Sequence, residues 1–203
     1  MRDFNADQRV IRTKQSIKDA LMELIEEKGF ESITVKDITN GAKINRGTFY
    51  IHYQDKFDLM TKCQEEFMLE MSTIAKLNFP SVVEELGNNP TSTRPLALIT
   101  LIIEFINKNR KFMKAMLGPK GDLSFATNLK NFMWNTLFHK EHLIKKENLL
   151  VPEEYLVSYI ASAHIGVIQQ WLVKEGKETP EEIARILSTI TINGPFFAAG
   201  LKK

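Results

Sequence analysis

A short run of residues near the N-terminus combines side chains that proteins use to contact DNA. Asn45–Tyr53 includes an arginine, a glycine, hydroxyl side chains and an isoleucine. On a helix whose Phe49 faces inward, Gly47 and Ile51 face within about 20° of straight outward, because successive residues turn by about 100°. Such a face suits the major groove, where glycine permits close approach, isoleucine meets a thymine methyl, and hydroxyls reach phosphates or base edges.

Three basic residues flank this run at positions where phosphates border a groove. Lys43 and Arg46 stand at its entry, and Lys56 lies in the first turn of the following predicted helix. The whole chain carries a net charge of only +2, and its first 60 residues contain ten basic and ten acidic side chains. Any nucleic-acid footprint must therefore be local, because no global basic field attracts DNA.

Two short predicted helices joined by a tight turn would position these side chains. Thr34–Asp37 has the form of a capping box and begins the first of them. Residues 41–44 must turn, because Asn45 is the next good N-cap, and the second helix covers 46–51. A long helix at 10–28 precedes the pair, with apolar residues at helical spacing. This arrangement has the spacing of a helix-turn-helix.

The remaining sequence predicts further helices. Asp55 begins one that continues to about Leu77, a loop rich in proline and polar residues follows at 78–94, and four or five longer helices come after it. No long segment alternates apolar and polar residues with period two, so no β-sheet is expected. We therefore predict an all-α protein, with an N-terminal three-helix helix-turn-helix domain at 1–60 and a C-terminal helical dimerisation and effector domain at 61–203.

Composition and motifs argue against an enzyme. The chain is 43% hydrophobic and 26% charged, as in ordinary soluble globular proteins. Its one cysteine, Cys63, excludes an internal disulfide and a cysteine-based zinc cluster. Neither a P-loop nor a dinucleotide fingerprint occurs. His139 and His142 form only a weak metal signal, because no third ligand is evident. We expect no catalytic activity, no cofactor and no metal.

The apolar segments indicate neither export nor membrane insertion. Residues 1–12 are charged and lack the apolar stretch of a signal peptide. The longest apolar stretches, such as Leu96–Ile106, are interrupted by polar residues and fall short of the ~20 apolar residues that a spanning helix needs. We therefore expect a cytoplasmic protein without a membrane partner.

The last two long helices carry more apolar surface than one core requires. Small residues between Ala161 and Gly166 permit close approach of another helix, so the surplus fits a four-helix dimer interface, with a merely buried helix as the alternative. The predicted interface residues are Tyr159, Ala163, Val167, Trp171, Ile183, Ile186, Leu187 and Ile190.

Aromatic and methionine residues of the C-terminal part predict the lining of a small-molecule effector pocket, with polar residues that orient the ligand. Plain core packing explains the same pattern equally well. The predicted pocket residues are Phe112, Met116, Phe125, Met133, Trp134, Tyr155, His164 and Gln169.

Three segments resemble the signature of the TetR family of transcriptional regulators. The match extends from about residue 13 to residue 60, and the segments that carry it are Thr34–Ile38, Asn45–Tyr53 and Lys56–Leu59. One departure is Lys43, because family members often carry glycine or asparagine in this turn, where a left-handed conformation is easy.

The resemblance implies a homodimer bound to double-stranded operator DNA through a recognition helix containing Arg46–Ile51. It also implies that Thr48, Tyr50 and His52 contact the DNA backbone and that Lys56 contacts a phosphate. With the residues derived above, the predicted DNA-binding set is Thr34, Lys43, Asn45, Arg46, Gly47, Thr48, Tyr50, Ile51, His52 and Lys56.

The expected function is that of a TetR-like DNA-binding transcriptional regulator, a repressor released by a small-molecule effector. Segments at about 110–124 and 166–187 resemble a subgroup that includes a dihydroxyacetone-kinase operon activator, whose ligand we do not carry over. The alternative, from a different class, is a protein-interaction adaptor or coactivator with a TetR-like fold, whose effector is another protein that docks on the C-terminal domain.

Overall fold

The computed structural model describes residues 4–88, 96–138, 149–174 and 177–200, and every regular element in these ranges is a helix. The prediction of an all-α protein is confirmed. In chain order the elements are α1 (Phe4–Lys28), the 3-10 helix η1 (Phe30–Ser32), α2 (Val35–Gly41), α3 (Arg46–His52), α4 (Lys56–Asn88), α5 (Ala97–Lys108), α6 (Arg110–Leu117), α7 (Leu123–Phe138), α8 (Glu153–Val173), α9 (Pro180–Asn193) and α10 (Pro195–Ala198).

The chain divides into two compact units. The first unit comprises Met1–Phe67 and Lys111–Leu123, and the second comprises Met68–Arg110 and Ser124–Lys203. This division differs from the single predicted cut after residue 60, because most of α6 groups with the N-terminal helices.

Ring stacking and ion pairs explain why α6 belongs to the first unit. Phe112 of α6 stacks on Phe67 of α4 with ring centroids 4.8 Å apart. Lys114 Nζ lies 3.2 Å from Glu26 Oε2 of α1, and both side chains are substantially exposed. Exposed ion pairs contribute only ~0–1 kcal/mol each. The aromatic stack and the buried side chain of Met113 therefore supply the larger part of the stability with which α6 packs in the first unit.

The core of the first unit follows the helical spacing of α1. Ile17, Leu21 and Ile25 recur every four residues and are each at most 1% exposed. Burial of a side chain of this size contributes roughly 1.5–3 kcal/mol. Cys63 is also buried, and burial raises the pKa of its thiol to about 12, which makes it an unreactive core residue. The core is completed by Ile33, Ile38, Phe49 and Leu59.

The second unit is built around the packing of α9 against α5 and α8. Helix α9 begins with a complete capping box formed by Thr179 and Glu182. Within the core, the backbone amide of Leu96 donates to Ser188 Oγ at 2.9 Å, so this buried hydroxyl is paired.

Helix α4 is longer than its sequence predicts. It continues to Asn88, so the loop predicted from residue 78 is wrong up to that point, and 89–95 lie outside the described residues. Pro80 removes one backbone donor from the helix. The helix nevertheless continues past this residue, and Val82 packs in the core of the second unit.

Other boundaries also differ from the predictions. Helix α1 begins at Phe4 rather than at residue 10, and the short α10 follows Gly194. The pair His139 and His142 lies outside the described residues.

Helix α8 is long and apolar enough to cross a membrane by length and composition alone, whereas we predicted that the apolar stretches fall short of a span. Its mean hydropathy over 18 residues is 1.3. The same test is passed by core helices of globular proteins, and Val157, Ala161 and Ile168 of α8 are buried within the second unit. The apolar character of α8 is therefore weak evidence for a membrane span.

Candidate nucleic-acid interface

The predicted capping box holds the N-terminus of α2. The backbone amide of Asp37 donates to Thr34 Oγ1 at 3.2 Å, and the amide of Thr34 donates to Asp37 Oδ2 at 2.9 Å. Lys28 Nζ lies 2.8 Å from the same carboxylate. Hydrogen bonds from Lys28 and then Thr34 hold the pKa of Asp37 well below its usual range, because they stabilise the charged form. These bonds attach the start of α2 to the end of α1.

The turn between α2 and α3 contains a left-handed residue. Lys43 has a φ of +55°, and it is the only non-glycine residue with a positive φ among those that the structure describes. This conformation costs a non-glycine residue roughly 1–2 kcal/mol. The turn is nevertheless closed, because the amide of Ile44 donates to the carbonyl of Thr39 at 3.0 Å. The departure from glycine or asparagine at this position is thus accommodated.

Helix α3 faces as its spacing predicts. Phe49 is 0% exposed and Tyr53 is buried, whereas Tyr50 is 49% and Ile51 77% exposed. A Cβ built on Gly47 would have no atom within 4 Å. The predicted orientation of the helix is confirmed, and its outward face lies open for a groove.

Arg46 and Tyr50 form a pair on the outward side of α3. The guanidinium of Arg46 donates to the hydroxyl oxygen of Tyr50 at 3.1 Å, and its carbon lies 5.8 Å from the ring centroid. Asn45 occupies the N-cap position, but its side chain makes no capping hydrogen bond, so its amide is available to a ligand.

Lys56 is held by the segment that follows α1. Its ammonium donates to the carbonyl oxygens of Phe30 and Glu31 at 3.1 Å and 2.9 Å. An ammonium has three N–H donors, so one remains for a phosphate. Asp55 Oδ1 accepts the amides of residues 57 and 58 at 2.8 Å each, which confirms the predicted cap of α4.

Two residues stand at the margins of the predicted set. Thr34 is exposed, and its hydroxyl donates to Asp37 at 2.7 Å. His52 is half-buried at the last position of α3, and its carbonyl accepts from Lys62. The structure therefore places the ten predicted residues at four neighbouring positions: the N-cap of α2, the turn between α2 and α3, helix α3 with its N-cap, and the first turn of α4.

The cations of the first unit differ in their partners, and Arg46 and Lys56 bind the neutral oxygens described above. Those paired with carboxylates are Lys18, Lys28, Lys62, Lys111 and Lys114. Exposed cations without a partner among the described residues are Arg9, Arg12, Lys14, Lys36 and Lys43. Sequence reasoning missed four of these five, because three of the five pairs with carboxylates join distant parts of the chain, as Lys18 and Glu66 do.

Comparisons with known proteins agree with this geometry. The model of the bacterial regulatory proteins of the tetR family matches residues 17–63, and a model described as a transcriptional regulator C-terminal region matches residues 93–193. The chain belongs to the TetR family. The matched N-terminal segment contains the capping box, the left-handed turn and α3.

Relatives of this TetR-family chain are regulators by their names. The uncharacterized HTH-type transcriptional regulator YxbF of Bacillus subtilis (strain 168) is 24% identical over 170 residues, which cover 83% of this chain and 42% of that protein. The HTH-type transcriptional regulator AcrR of Shigella flexneri is 28% identical over 108 residues, 53% of this chain and 49% of that protein. The chain thus spans less than half the length of each in these matches.

Two solved structures show that the fold is shared. A TetR transcriptional regulator from Streptococcus agalactiae 2603V is 21% identical, with a TM-score of 0.59, over 92% of this chain and 97% of that one. NalD of Pseudomonas aeruginosa, described as the secondary repressor of the MexAB-OprM multidrug efflux pump, is 16% identical, with a TM-score of 0.62, over 91% and 97%.

The predicted pocket residues of the TetR-family chain do not share one environment. Phe112 and Met116 belong to the first unit, whereas the other six belong to the second. Phe125 is 0% exposed, which suits a core position, while Tyr155 is 69% exposed and Gln169 is also exposed. Exposed side chains do not line an enclosed cavity within one chain, so Tyr155 and Gln169 do not meet that expectation. Met133 and Trp134 are half-buried.

His164 is the pocket candidate with unusual surroundings. Its Nε2 lies 3.0 Å from Thr191 Oγ1, and its buried Nδ1 has no hydrogen-bond partner among the described atoms. Burial lowers its pKa to about 4, because a charged imidazole is poorly solvated there. The ring is therefore neutral at neutral pH.

The predicted dimer residues divide between core and surface. Trp171, Ile183 and Leu187 are 2–3% exposed, so they face the core of the second unit and correct the prediction that they present an outward face. Tyr159 and Ile186 are 56% and 41% exposed. The half-buried remainder consists of Ala163, Val167 and Ile190.

A shallow groove of about 470 Å³ lies on α8 and α9 of the second unit. The residues that line it include the small residues Ser162 and Gly166, together with Trp171 and Ile186. Arg110 holds the end of α8, because its guanidinium donates to the carbonyl of Trp171 at 3.0 Å and lies 4.7 Å from the ring centroid.

Proposed function

We propose that this TetR-family chain is a transcriptional regulator that binds operator DNA as a homodimer with α3 in the major groove. The observation that carries the proposal is the open outer face of α3, where Ile51 and Tyr50 point away from a core filled by Phe49. Groove reading by one short helix supplies few contacts, so two copies related by a two-fold axis are required. Their recognition helices must be roughly 34–36 Å apart, which makes the operator a near-palindrome.

We further propose that α8 and α9 provide the dimer face. Tyr159 and Ile186 are exposed apolar side chains, and the groove on α8 and α9 is lined in part by residues small enough for another helix to approach closely, such as Ser162 and Gly166. Trp171, Ile183 and Leu187 support this face from beneath. A second copy would remove the exposed apolar surface from water.

We propose that the regulator represses transcription and is released by a small-molecule effector held in the second unit. An effector acts only by favouring one separation of the two recognition helices over another. We also propose, on the resemblance of residues 110–124 and 166–187 alone, that the chain is related to the subgroup that includes a dihydroxyacetone-kinase operon activator. The proposal includes a cytoplasmic location and no catalytic step.

Selection of sequences from a random duplex pool tests the proposed function. The wild-type protein should enrich a near-palindromic site. Tyr50→Ala should weaken binding of the dimer to that site at least about 100-fold, because it removes two hydrogen bonds to charged groups, worth roughly 1.5–3 kcal/mol each. Leu69→Ala, at a side chain 69% exposed on α4, is the matched control and should bind as the wild type does.

Thermal unfolding separates contact from folding in the same variants. Tyr50→Ala should unfold within a degree or two of the wild type, because its side chain is half outside the protein. No enriched sequence, or full affinity of the Tyr50→Ala variant, would contradict the proposal.

A further inference from the structure

The first three turns of α1 extend beyond the part of the chain that matches the family. Helix α1 begins at Phe4, whereas the tetR-family match begins at residue 17. Side chains 8–16 are exposed, apart from the half-buried Thr13, and Ile17 is the first fully buried one. Helices are stabilised mainly by the packing of one face, and residues 8–16 bury no side chain fully within the first unit.

The extension is selectively basic. Among residues 8–16 the charged side chains are Arg9, Arg12 and Lys14, and none has a partner among the described residues. Over the first 16 residues the sequence holds four basic and two acidic side chains, a net charge of +2. The rest of α1, at 17–28, holds two basic and four acidic side chains, so the positive charge is confined to the extension.

Two contacts locate the extension relative to α3. Lys28 pairs with Asp37 at the start of α2, and Ala20 approaches Gly41 at its end, where an added Cβ would lie 3.1 Å from that of Ala20. Helix α2 therefore runs antiparallel to α1. The turn that follows α2 therefore begins near Ala20, at the end of the contact between the two helices that is nearer the N-terminus of α1. Arg12 lies on this same side, eight residues or about 12 Å from Ala20 along the axis.

We propose that the N-terminal extension of α1 binds the phosphate backbone of duplex DNA next to the groove that α3 reads. The proposal rests on the proposed function. Arg9 and Arg12 are three residues apart and so share one helix face, from which two guanidinium groups can each bind a phosphate. Residues 8–16 span about 13 Å, the length of about four base pairs, so the contact lies at the flank of each half-site.

The salt dependence of DNA affinity tests the proposal. Replacing both arginines in Arg9→Gln/Arg12→Gln removes four cations per dimer. The slope of log affinity against log salt should then become shallower by about 3.6, because each phosphate contact contributes about 0.9. Between 0.05 and 0.2 M salt the wild type should therefore lose about 150-fold more affinity than the variant. The probe is the duplex enriched by the wild-type protein.

Two variants serve as controls. Arg9→Lys/Arg12→Lys keeps the charges and should restore the slope, whereas a structural role of the guanidinium groups would leave it shallow. Lys76→Gln/Lys108→Gln removes the same charge from exposed side chains of the second unit and should keep the wild-type slope. Glutamine is a good helix former, so a circular dichroism spectrum should show unchanged helix content in each variant.

Shortening the duplex by about four base pairs at each end provides an independent measurement. It should reduce the slope for the wild type and leave the slope of Arg9→Gln/Arg12→Gln unchanged. An unaltered slope for that variant on the full duplex, with wild-type protein that binds normally, overturns the inference and leaves the proposed function intact. A wild-type protein that binds no duplex overturns both.

Discussion

Replacing Tyr53 with phenylalanine should stabilise the protein. Tyr53 is 3% exposed, and its hydroxyl has no hydrogen-bond partner among the described atoms. Burial of an unpaired hydroxyl costs about 1–3 kcal/mol. Phenylalanine removes this group and keeps the contact with the ring of Phe49, whose centroid lies 5.7 Å away. The small space left by one oxygen offsets part of the gain, so we expect a net increase of about 1 kcal/mol in the free energy of unfolding.

Alkaline pH should widen the difference between the two proteins. Burial raises the pKa of Tyr53 above its ordinary value of 10.0. The unfolded chain therefore loses this proton first as the pH rises, and the wild type loses stability above about pH 10, by up to ~1.4 kcal/mol per pH unit. The phenylalanine variant lacks this proton and should not show this part of the decline.

Urea unfolding followed by circular dichroism, at pH 7 and at pH 11, measures both effects. Tyr53→Phe should raise the midpoint without changing the slope of free energy against urea. Tyr50→Phe is the control, because its hydroxyl is exposed and bound by Arg46, so its removal should bring no gain. A Tyr53→Phe variant less stable than the wild type at pH 7 would refute the reasoning, since the hydroxyl would then have a stabilising partner.

Two further predictions concern the second unit. His164 has a pKa lowered to about 4, so its contribution to stability is present above pH 6.5 and is lost as the pH falls toward 4. His164→Gln should flatten this decline in the urea midpoint, and an unchanged decline would assign it to another group. Ile186→Glu should give a monomer by sedimentation that no longer binds the operator, because it places an unpaired charge in the proposed dimer face. Leu77→Glu, at a side chain 75% exposed on α4, should stay dimeric, and a dimeric, DNA-bound Ile186→Glu would move the interface elsewhere.

The helix-turn-helix was predictable from the sequence because its signals are local. Thr34 and Asp37 are three residues apart, and the bonds between them cap one helix. Phe49 and Ile51 separate inward from outward by the angle of two helical residues. Each of these interactions closes within about one turn, so neighbouring residue types suffice to determine it. Lys43 was noted through the family resemblance, as a departure in a turn where a left-handed conformation is easy, and it adopts that conformation.

Tertiary structure decided which face of the last two long helices is buried. Trp171, Ile183 and Leu187 were predicted to face a partner, but they fill the core of their own unit. Helix α8 is apolar on most sides, so its periodicity cannot choose which side meets the core and which remains for another chain.

Long-range contacts likewise decided the extent of helices and the pairing of charges. Helix α4 continues past Pro80, and Val82, which lies beyond it, packs in a core that includes Leu98. Lys111 and Glu23 form an ion pair although 88 residues separate them. Composition shows equal numbers of cations and anions in the first 60 residues, but only the folded chain determines which cations stay free for a phosphate. The physical reason is that burial and ion pairing depend on distances between elements, which a local sequence pattern does not contain.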